Sequence, residues 1–142
     1  MKRVFNIFFL IIFFSFLFIS CKKDNKNPVP YVYVSFYLNI SSTLYIDLAS
    51  VGGWENLTGG YRGVVVYREA SDQFVAFDRA CPYDWQTDSA YVSVEPSGLV
   101  IKCKSCGSEY LIIDGSVVKG PATYPLKQYN TSFDGLTLHV YN

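Results

Sequence analysis

The chain contains the segment Cys103-Lys104-Ser105-Cys106-Gly107-Ser108-Glu109-Tyr110, in which a Cys-x-x-Cys pair is followed directly by glycine. Strand-like residues lie on both sides of its Cys-x-x-Cys pair, and Gly107 tolerates the positive φ that a tight turn needs. Such a turn lets two thiolates converge on one ion. A thioredoxin-like redox motif would place the pair at the start of a helix instead. The segment therefore predicts a site for a metal or an iron–sulfur cluster.

The rest of the chain is rich in β-branched and aromatic residues, as pleated surfaces favour. No sustained helical period occurs beyond the N-terminal leader. Asp114-Gly115 lies between two apolar pairs, which is a strong hairpin signal. We predict an all-β domain, a small antiparallel sandwich or barrel of roughly eight to ten strands. Strands are expected within 31–40, 63–69, 73–78, 90–95, 99–102, 109–113 and 136–141, while 46–54 is either a short helical turn or a loop.

The N-terminus has the pattern of a secretory signal. Met1-Lys2-Arg3 is basic, and Val4 to Ser20 carries no charge. A membrane-spanning anchor is the alternative, because this apolar run is at the lower edge of the length that spans a bilayer. We assign residues 1–20 to a signal peptide, residues 21–30 to a polar tether and residues 31–142 to the β domain.

Phe18-Ile19-Ser20-Cys21 resembles a bacterial lipobox, with Phe18 at a position that is usually Leu. The resemblance implies that Cys21 is acylated and becomes the new N-terminus, which anchors the protein to a membrane. Lys22 after the cysteine resembles lipoproteins sent to the outer membrane. We therefore expect a lipid-anchored protein of the cell envelope, in the outer membrane, on its periplasmic face or the cell surface.

Charge argues against nucleic acid as a partner. The chain has 12 basic and 12 acidic residues, and loss of Lys2 and Arg3 with the leader leaves a net charge of −2. Phosphate binding requires a basic surface.

Three cysteines remain after the leader: Cys81, Cys103 and Cys106. An oxidising compartment favours disulfides, which use cysteines in pairs, so an odd number leaves one thiol over. One disulfide with a spare thiol is the alternative to the ligand set that we favour.

Several pieces of the sequence together resemble a Rieske [2Fe–2S] domain. They are Cys81-Pro82-Tyr83, the Cys103–Tyr110 segment, Gly120-Pro121-Ala122 and Pro125-Leu126. The family pattern is Cys-x-His, Cys-x-x-His-Gly-Ser, a hairpin, and a Gly-Pro-Ala loop leading to Pro-Leu. The match runs from about Phe74 to Tyr129. It implies a cluster-binding subdomain of two loops.

The ligand set departs from that pattern. In the family, two cysteines hold one iron and two histidines hold the other. Cys81 and Cys103 match the cysteines, but Tyr83 and Cys106 stand at the histidine positions. The single histidine, His139, lies far from both motifs and is expected to be a solvated strand residue.

Three alternatives follow for the site. The first is a modified [2Fe–2S] cluster held by the three cysteines, with Tyr83 or Asp84 as the fourth ligand. The second is one Zn²⁺ or one iron in a tetrahedral thiolate site. The third has no metal, and Cys103 forms a disulfide with Cys106 or Cys81.

The resemblance also assigns roles around the ligands. Ser108 and Tyr110 match hydroxyl donors that hydrogen-bond to cluster sulfurs, and Gly120-Pro121-Ala122 matches the loop that covers the cluster. Without a cluster, Ser108 would cap a turn, Tyr110 would pack in a strand, and Gly120-Pro121-Ala122 would be a plain turn.

We hypothesise a membrane-anchored Rieske-like protein that carries one electron to or from an envelope redox protein and is not an enzyme by itself. Anionic ligands in place of imidazoles would move its potential toward about −400 mV. The alternative is a binding or structural lipoprotein in which zinc or a disulfide replaces the cluster.

Overall fold

The computed structural model describes residues 27–142, and ten strands and one 3₁₀ helix, Thr43–Ala49, lie in this part of the chain. The strands are β1 Ser35–Asn39, β2 Trp54–Leu57, β3 Val64–Arg68, β4 Phe74–Asp78, β5 Val92–Val94, β6 Val100–Cys103, β7 Glu109–Leu111, β8 Val117–Lys119, β9 Gln128–Phe133 and β10 Thr137–Tyr141.

The strands form two sheets. The six-stranded sheet has the order β1-β10-β9-β4-β3-β2, and the four-stranded sheet has the order β5-β6-β7-β8. All of the strand pairs are antiparallel. The prediction of an all-β, antiparallel fold is confirmed.

Strands β3 and β4 are buried on both of their faces. Val65 and Phe77 point into a core shared with the four-stranded sheet, whereas Val64, Val66 and Ala76 point into a second core shared with β1 and β10. Successive side chains of a strand point to opposite faces. A strand between two cores therefore has an unbroken apolar run, which is what the sequence shows here.

Two strands were missed in the sequence. β2 contains Glu55 and Asn56, and β9 alternates polar residues with the buried Tyr129. Neither has the apolar run or the strong alternation that marked the other strands. The 46–54 stretch, which the sequence left open, holds the end of the 3₁₀ helix and the first residue of β2.

The hairpin at Asp114-Gly115 is present, with β7 paired to β8. Its turn is longer than predicted, because Ile112 and Ile113 lie in the turn rather than in β7. Gly115 has a φ of +69°, and a Cβ there would lie 2.8 Å from the ring of Phe77. Glycine is thus required both by the backbone and by the core beneath it.

The predicted signal peptide and Cys21 lie outside the described residues. The last residues of the predicted tether lie against the domain: Val29 is buried, the Asn27 side chain donates to the Pro125 carbonyl at 2.8 Å, and Lys127 donates to the Pro30 carbonyl at 2.7 Å. Between residues 27 and 142 we find no helix with the length and apolar character needed to cross a membrane.

Candidate metal centre

Three cysteines from two loops converge at one edge of the core between the sheets. Cys81 follows β4, Cys103 ends β6, and Cys106 lies in the turn between β6 and β7. Their three sulfur atoms all lie within 4.8 Å of one another, and the sulfurs of Cys81 and Cys106 are 3.5 Å apart. The structure therefore brings together the three residues that the sequence predicted as ligands.

Main-chain hydrogen bonds fix the Cys103–Cys106 turn. The Cys103 N–H donates to the Ser108 carbonyl at 2.8 Å, and the Gly107 N–H donates to the Cys103 carbonyl at 3.0 Å. Gly107 has a φ of +75°, which a residue with a side chain rarely adopts. This glycine lets the chain return into β7 immediately after Cys106.

The loop that carries Cys81 is held by its own set of bonds. The Cys81 N–H donates to the Ala90 carbonyl at 3.0 Å, and the Asp84 N–H donates to the Cys81 carbonyl at 3.2 Å. The Ser105 hydroxyl donates to the Asp84 carboxylate at 3.2 Å. This last bond joins the two cysteine loops directly.

Asp78 is a structural residue of the site that the sequence interpretation missed. Its carboxylate is fully buried and accepts the backbone N–H groups of Tyr61 at 2.6 Å, Arg62 at 3.2 Å and Ala80 at 2.8 Å, and the Tyr129 hydroxyl at 2.7 Å. A buried carboxylate requires such partners. Because Ala80 directly precedes the first cysteine, these bonds position the Cys81 loop. The sequence did contain a signal for this residue, because Asp78 is an acidic residue at the end of an otherwise apolar strand.

Two buried hydroxyls lie beside the sulfurs. The Ser108 Oγ is 3.0 Å from the Cys106 sulfur and accepts the Ala122 N–H at 2.9 Å. The Tyr110 hydroxyl is 3.4 Å from the Cys81 sulfur, and the Tyr110 side chain is fully buried. Ala122 is the buried member of the Gly120-Pro121-Ala122 loop, whose first two residues are exposed.

The surroundings give the thiols different acidities. Burial raises the pKa of Cys103 to about 12. Burial also acts to raise the pKa of Cys106, but hydrogen bonds from Ser108 and the neighbouring thiols outweigh it, so the pKa of Cys106 falls below its ordinary value. Burial, followed by the hydrogen bond with Cys81, raises the pKa of Tyr110. Cys106, which is also partly exposed, is thus more readily ionised than Cys103.

Other candidate residues lie apart from the sulfurs. The Tyr83 side chain is 56% exposed. Among residues 27–142, the converging acidic, thiol and imidazole ligand atoms are those of the three cysteines, and the Asp84 carboxylate does not join them. His139 lies on β10, stacked on Tyr37 and Tyr141 at centroid distances of 4.1 Å and 4.6 Å. Its predicted position in a strand is confirmed.

No family model and no curated protein matches the chain. Among solved structures, the cyanobacterial plasma membrane Rieske protein PetC3 from Synechocystis PCC 6803 is similar, with a TM-score of 0.54 and 22% sequence identity over 72% of this chain and 97% of that chain. The chain has a Rieske-like fold. A chain of the complex of reduced oxygenase and oxidized ferredoxin in carbazole 1,9a-dioxygenase is also similar, with a TM-score of 0.50 and 22% identity over 74% of this chain and 92% of that chain.

The Rieske-like domain does not supply the ligands of a Rieske cluster. That cluster needs two imidazoles, but the one histidine of the chain stacks on tyrosines of β1 and β10 in the six-stranded sheet. The sulfur positions do fit a thiolate-rich centre. Sulfurs bound to one tetrahedral ion are about 3.8 Å apart when each metal–sulfur distance is about 2.3 Å. The Cys81–Cys106 sulfur distance of 3.5 Å is close to that value, and all three pairs lie within 4.8 Å.

Proposed function

We propose that the Rieske-like domain binds iron through Cys81, Cys103 and Cys106 and carries one electron at a time in the cell envelope. The observation that supports this most directly is the convergence of the three sulfurs within 4.8 Å. The loops that carry them belong to a fold found in a Rieske protein. Thiolate-bound iron, alone or in a cluster, supplies a one-electron couple when bound. No catalytic step is part of the proposal.

The protein's own residues hold the sulfurs and keep water from them. Cys81 and Cys103 are almost fully buried, at 0% and 1% exposed, so only the Cys106 side of the site faces solvent. Ser108 and Tyr110 place a hydroxyl beside one sulfur each. Donors of this kind hold sulfur ligands in position and stabilise negative charge on them.

Asp84 is better placed than Tyr83 to serve as the fourth ligand. Its carboxylate already accepts a bond from Ser105, which directly precedes Cys106. Carboxylate oxygen is a harder donor than thiolate, but it does bind ferric iron. To bind the metal, the Asp84 carboxylate would have to give up its bond with the Ser105 hydroxyl.

Two observations support different numbers of irons in the proposed site. The Rieske-like fold supports a modified [2Fe–2S] cluster. The sulfur spacing supports a single ion, because thiolates on the two irons of a cluster are separated by the bridging sulfides and lie farther apart than thiolates on one ion. Acid-labile sulfide distinguishes the forms, since the cluster contains it and a single iron does not.

A second candidate function is a structural zinc site. The donors are all sulfur and have the spacing of one tetrahedral ion, and zinc favours such sites. Zinc would then join the Cys81 loop to the β6–β7 turn, and the lipoprotein would have a binding or structural role without electron transfer.

The proposed location depends on the leader and on Cys21. The resemblance of residues 18–21 to a lipobox supports an acylated Cys21 and anchoring in the outer membrane. From Cys21 to Asn27, which lies against the domain, an extended chain spans at most about 3.5 Å per residue. The domain would stay close to the lipid surface, where an envelope redox protein is the proposed partner.

Metal and sulfide analysis of the full chain, purified anaerobically in detergent, tests these proposals. Iron with a visible absorption band and reversible one-electron reduction is the expected result. Two irons with two sulfides identify the cluster, and one iron without sulfide identifies the mononuclear form. Zinc would favour the structural candidate. A protein that takes up neither metal after anaerobic reconstitution would contradict both functions.

A further inference from the structure

The contact between the Cys81 and Cys106 sulfurs suits a disulfide as well as a metal site. Their sulfurs are 3.5 Å apart, near van der Waals contact, although 25 residues separate them in the chain. A disulfide requires about 2.05 Å between sulfurs, so the pair would have to close by roughly 1.5 Å. The Ser105–Asp84 bond holds the two loops together on the outer side of the thiol pair. We infer that oxidation of the metal-free protein joins Cys81 to Cys106 and leaves Cys103 as a thiol.

Solvent exposure determines which of the three thiols reacts first with an oxidant. Cys106 is partly exposed, whereas Cys81 and Cys103 are 0% and 1% exposed. Thiol–disulfide exchange depends on access to the attacking sulfur. Cys106 is therefore the thiol that meets an external oxidant, and one of the two buried cysteines must resolve the product.

The sulfur contact and the position of Cys81 on the other loop favour this residue as the resolving cysteine. Cys103 ends β6, where it pairs with Val92, and both its N–H and its carbonyl are bonded within the turn. A Cys103–Cys106 bond would have to form inside this fixed turn. Cys81 lies outside the strands, on a separate loop, and its sulfur is already against that of Cys106.

The oxidant belongs to the class of protein or small-molecule disulfides. The Cys106 thiolate attacks one sulfur of that disulfide, which forms a mixed disulfide and releases the other sulfur as a thiol. The Cys81 thiolate then attacks the Cys106 sulfur and releases the second thiol of the oxidant. Two protein S–H bonds are lost and one S–S bond forms, while two electrons and two protons reduce the oxidant to its dithiol form.

The new bond would remove two of the three thiolates from any metal. Metal-bound and oxidised forms of the domain would exclude each other, so the site would switch between them with the redox state of the envelope. This consequence rests on the proposed function, whereas the disulfide itself does not.

The test uses the full chain in detergent, stripped of metal with a chelator and then treated with oxidised glutathione. Free thiols are alkylated, and the protein is digested without reduction and analysed by mass spectrometry. We expect a Cys81–Cys106 peptide and an alkylated Cys103. A Cys103–Cys106 or Cys81–Cys103 peptide would overturn the inference. So would alkylation of all three of Cys81, Cys103 and Cys106 after oxidation.

Two variants sharpen the result. Cys103→Ser should still form the cross-link, whereas Cys81→Ser should accumulate a glutathione adduct on Cys106. The wild-type peptide map stands even if a variant fails to fold. Metal uptake by the reduced chain is measured in parallel: uptake without the cross-link overturns the inference alone, and the cross-link without uptake overturns the proposed function alone.

Discussion

The hydroxyl of Ser108 lies 3.0 Å from the sulfur of Cys106. The same oxygen accepts the N–H of Ala122 at 2.9 Å, which leaves the serine's single proton free to be donated to sulfur. One buried side chain thus connects a thiol, the turn that carries it and the Gly120-Pro121-Ala122 loop. This donation stabilises the thiolate and contributes to the lowered pKa of Cys106.

Replacement of Ser108 by alanine should raise the pKa of Cys106, because the donor to its thiolate is lost. In the metal-free reduced chain, the rate of Cys106 alkylation followed by mass spectrometry should reach half its maximum at higher pH than in the wild type. Ser108→Thr keeps the hydroxyl and should stay close to the wild type. An unchanged profile in Ser108→Ala would show that this hydrogen bond does not set the acidity of Cys106. Cys103, with a pKa of about 12, should stay unreactive near neutral pH in both proteins.

Gly60 should be intolerant of a side chain. A Cβ there would lie 2.5 Å from the Asp78 carboxylate and 2.6 Å from the Tyr129 hydroxyl. Gly60→Ala would displace this buried network, and we expect a loss of at least about 2 kcal/mol in the free energy of unfolding, measured in urea.

Gly98 provides the matched control. Its φ of +69° is close to the +61° of Gly60, but a Cβ at Gly98 meets nothing within 4 Å. Both alanine variants carry the cost of a positive φ, so the difference between them isolates the crowding of Asp78. Equal losses of stability would mean that the network tolerates displacement.

Removal of the Tyr110 hydroxyl should lower the midpoint potential of a bound iron centre. The hydroxyl lies 3.4 Å from the Cys81 sulfur, and a donor to sulfur stabilises the more negative, reduced state. Voltammetry of Tyr110→Phe is expected to show the fall. Tyr91→Phe is the control, since the Tyr91 hydroxyl is bonded to Lys104 rather than to a thiol. A raised or unchanged potential in Tyr110→Phe would contradict this role.

The midpoint potential of the wild-type iron centre should lie below the Rieske range of about −150 to +300 mV, because its ligands are anionic.

The fourth ligand can be identified by a pair of substitutions in the Cys81 loop. Asp84→Asn removes the carboxylate nearest the Cys106 turn, and we expect weaker metal retention and an altered visible spectrum. Tyr83→Phe should leave both unchanged, because its side chain is 56% exposed. The opposite pattern would assign the ligand to Tyr83. Metal content after dialysis against a chelator is the measurement.

The sequence predicted strands from continuous apolar runs, as in β3 and β4, and from alternation, as in β1 and β10. It did not identify β2 and β9, where polar residues are more frequent. β3 and β4 were predicted because both of their faces are buried, while β9 was missed because its outward residues are polar. In β9, Tyr129 is buried by partners distant in sequence, Asp78 among them. Pairings of that kind leave no local pattern.

The candidate ligands were predicted because thiols have few structural roles and their spacing matched a known motif. The hydrogen bonds that hold these ligands in position were not predicted. The bonds of Asp78 join β4 to the Gly60–Arg62 turn and to β9, and the sequence places these elements far apart. The convergence of Cys81 with Cys103 and Cys106 was predicted, but the near contact of the Cys81 and Cys106 sulfurs was not, because it depends on how two loops lie against each other.

The position of β3 and β4 between two cores has a consequence for cooperativity. The core on one side includes the cysteines and the four-stranded sheet, and the other is closed by β1 and β10. Loss of a metal from the proposed site would remove support from the first core alone. We therefore expect the apo protein to open in part: amide hydrogens of β6 and β7 would exchange quickly with deuterium, while those of β10 would remain protected as a separate folding unit.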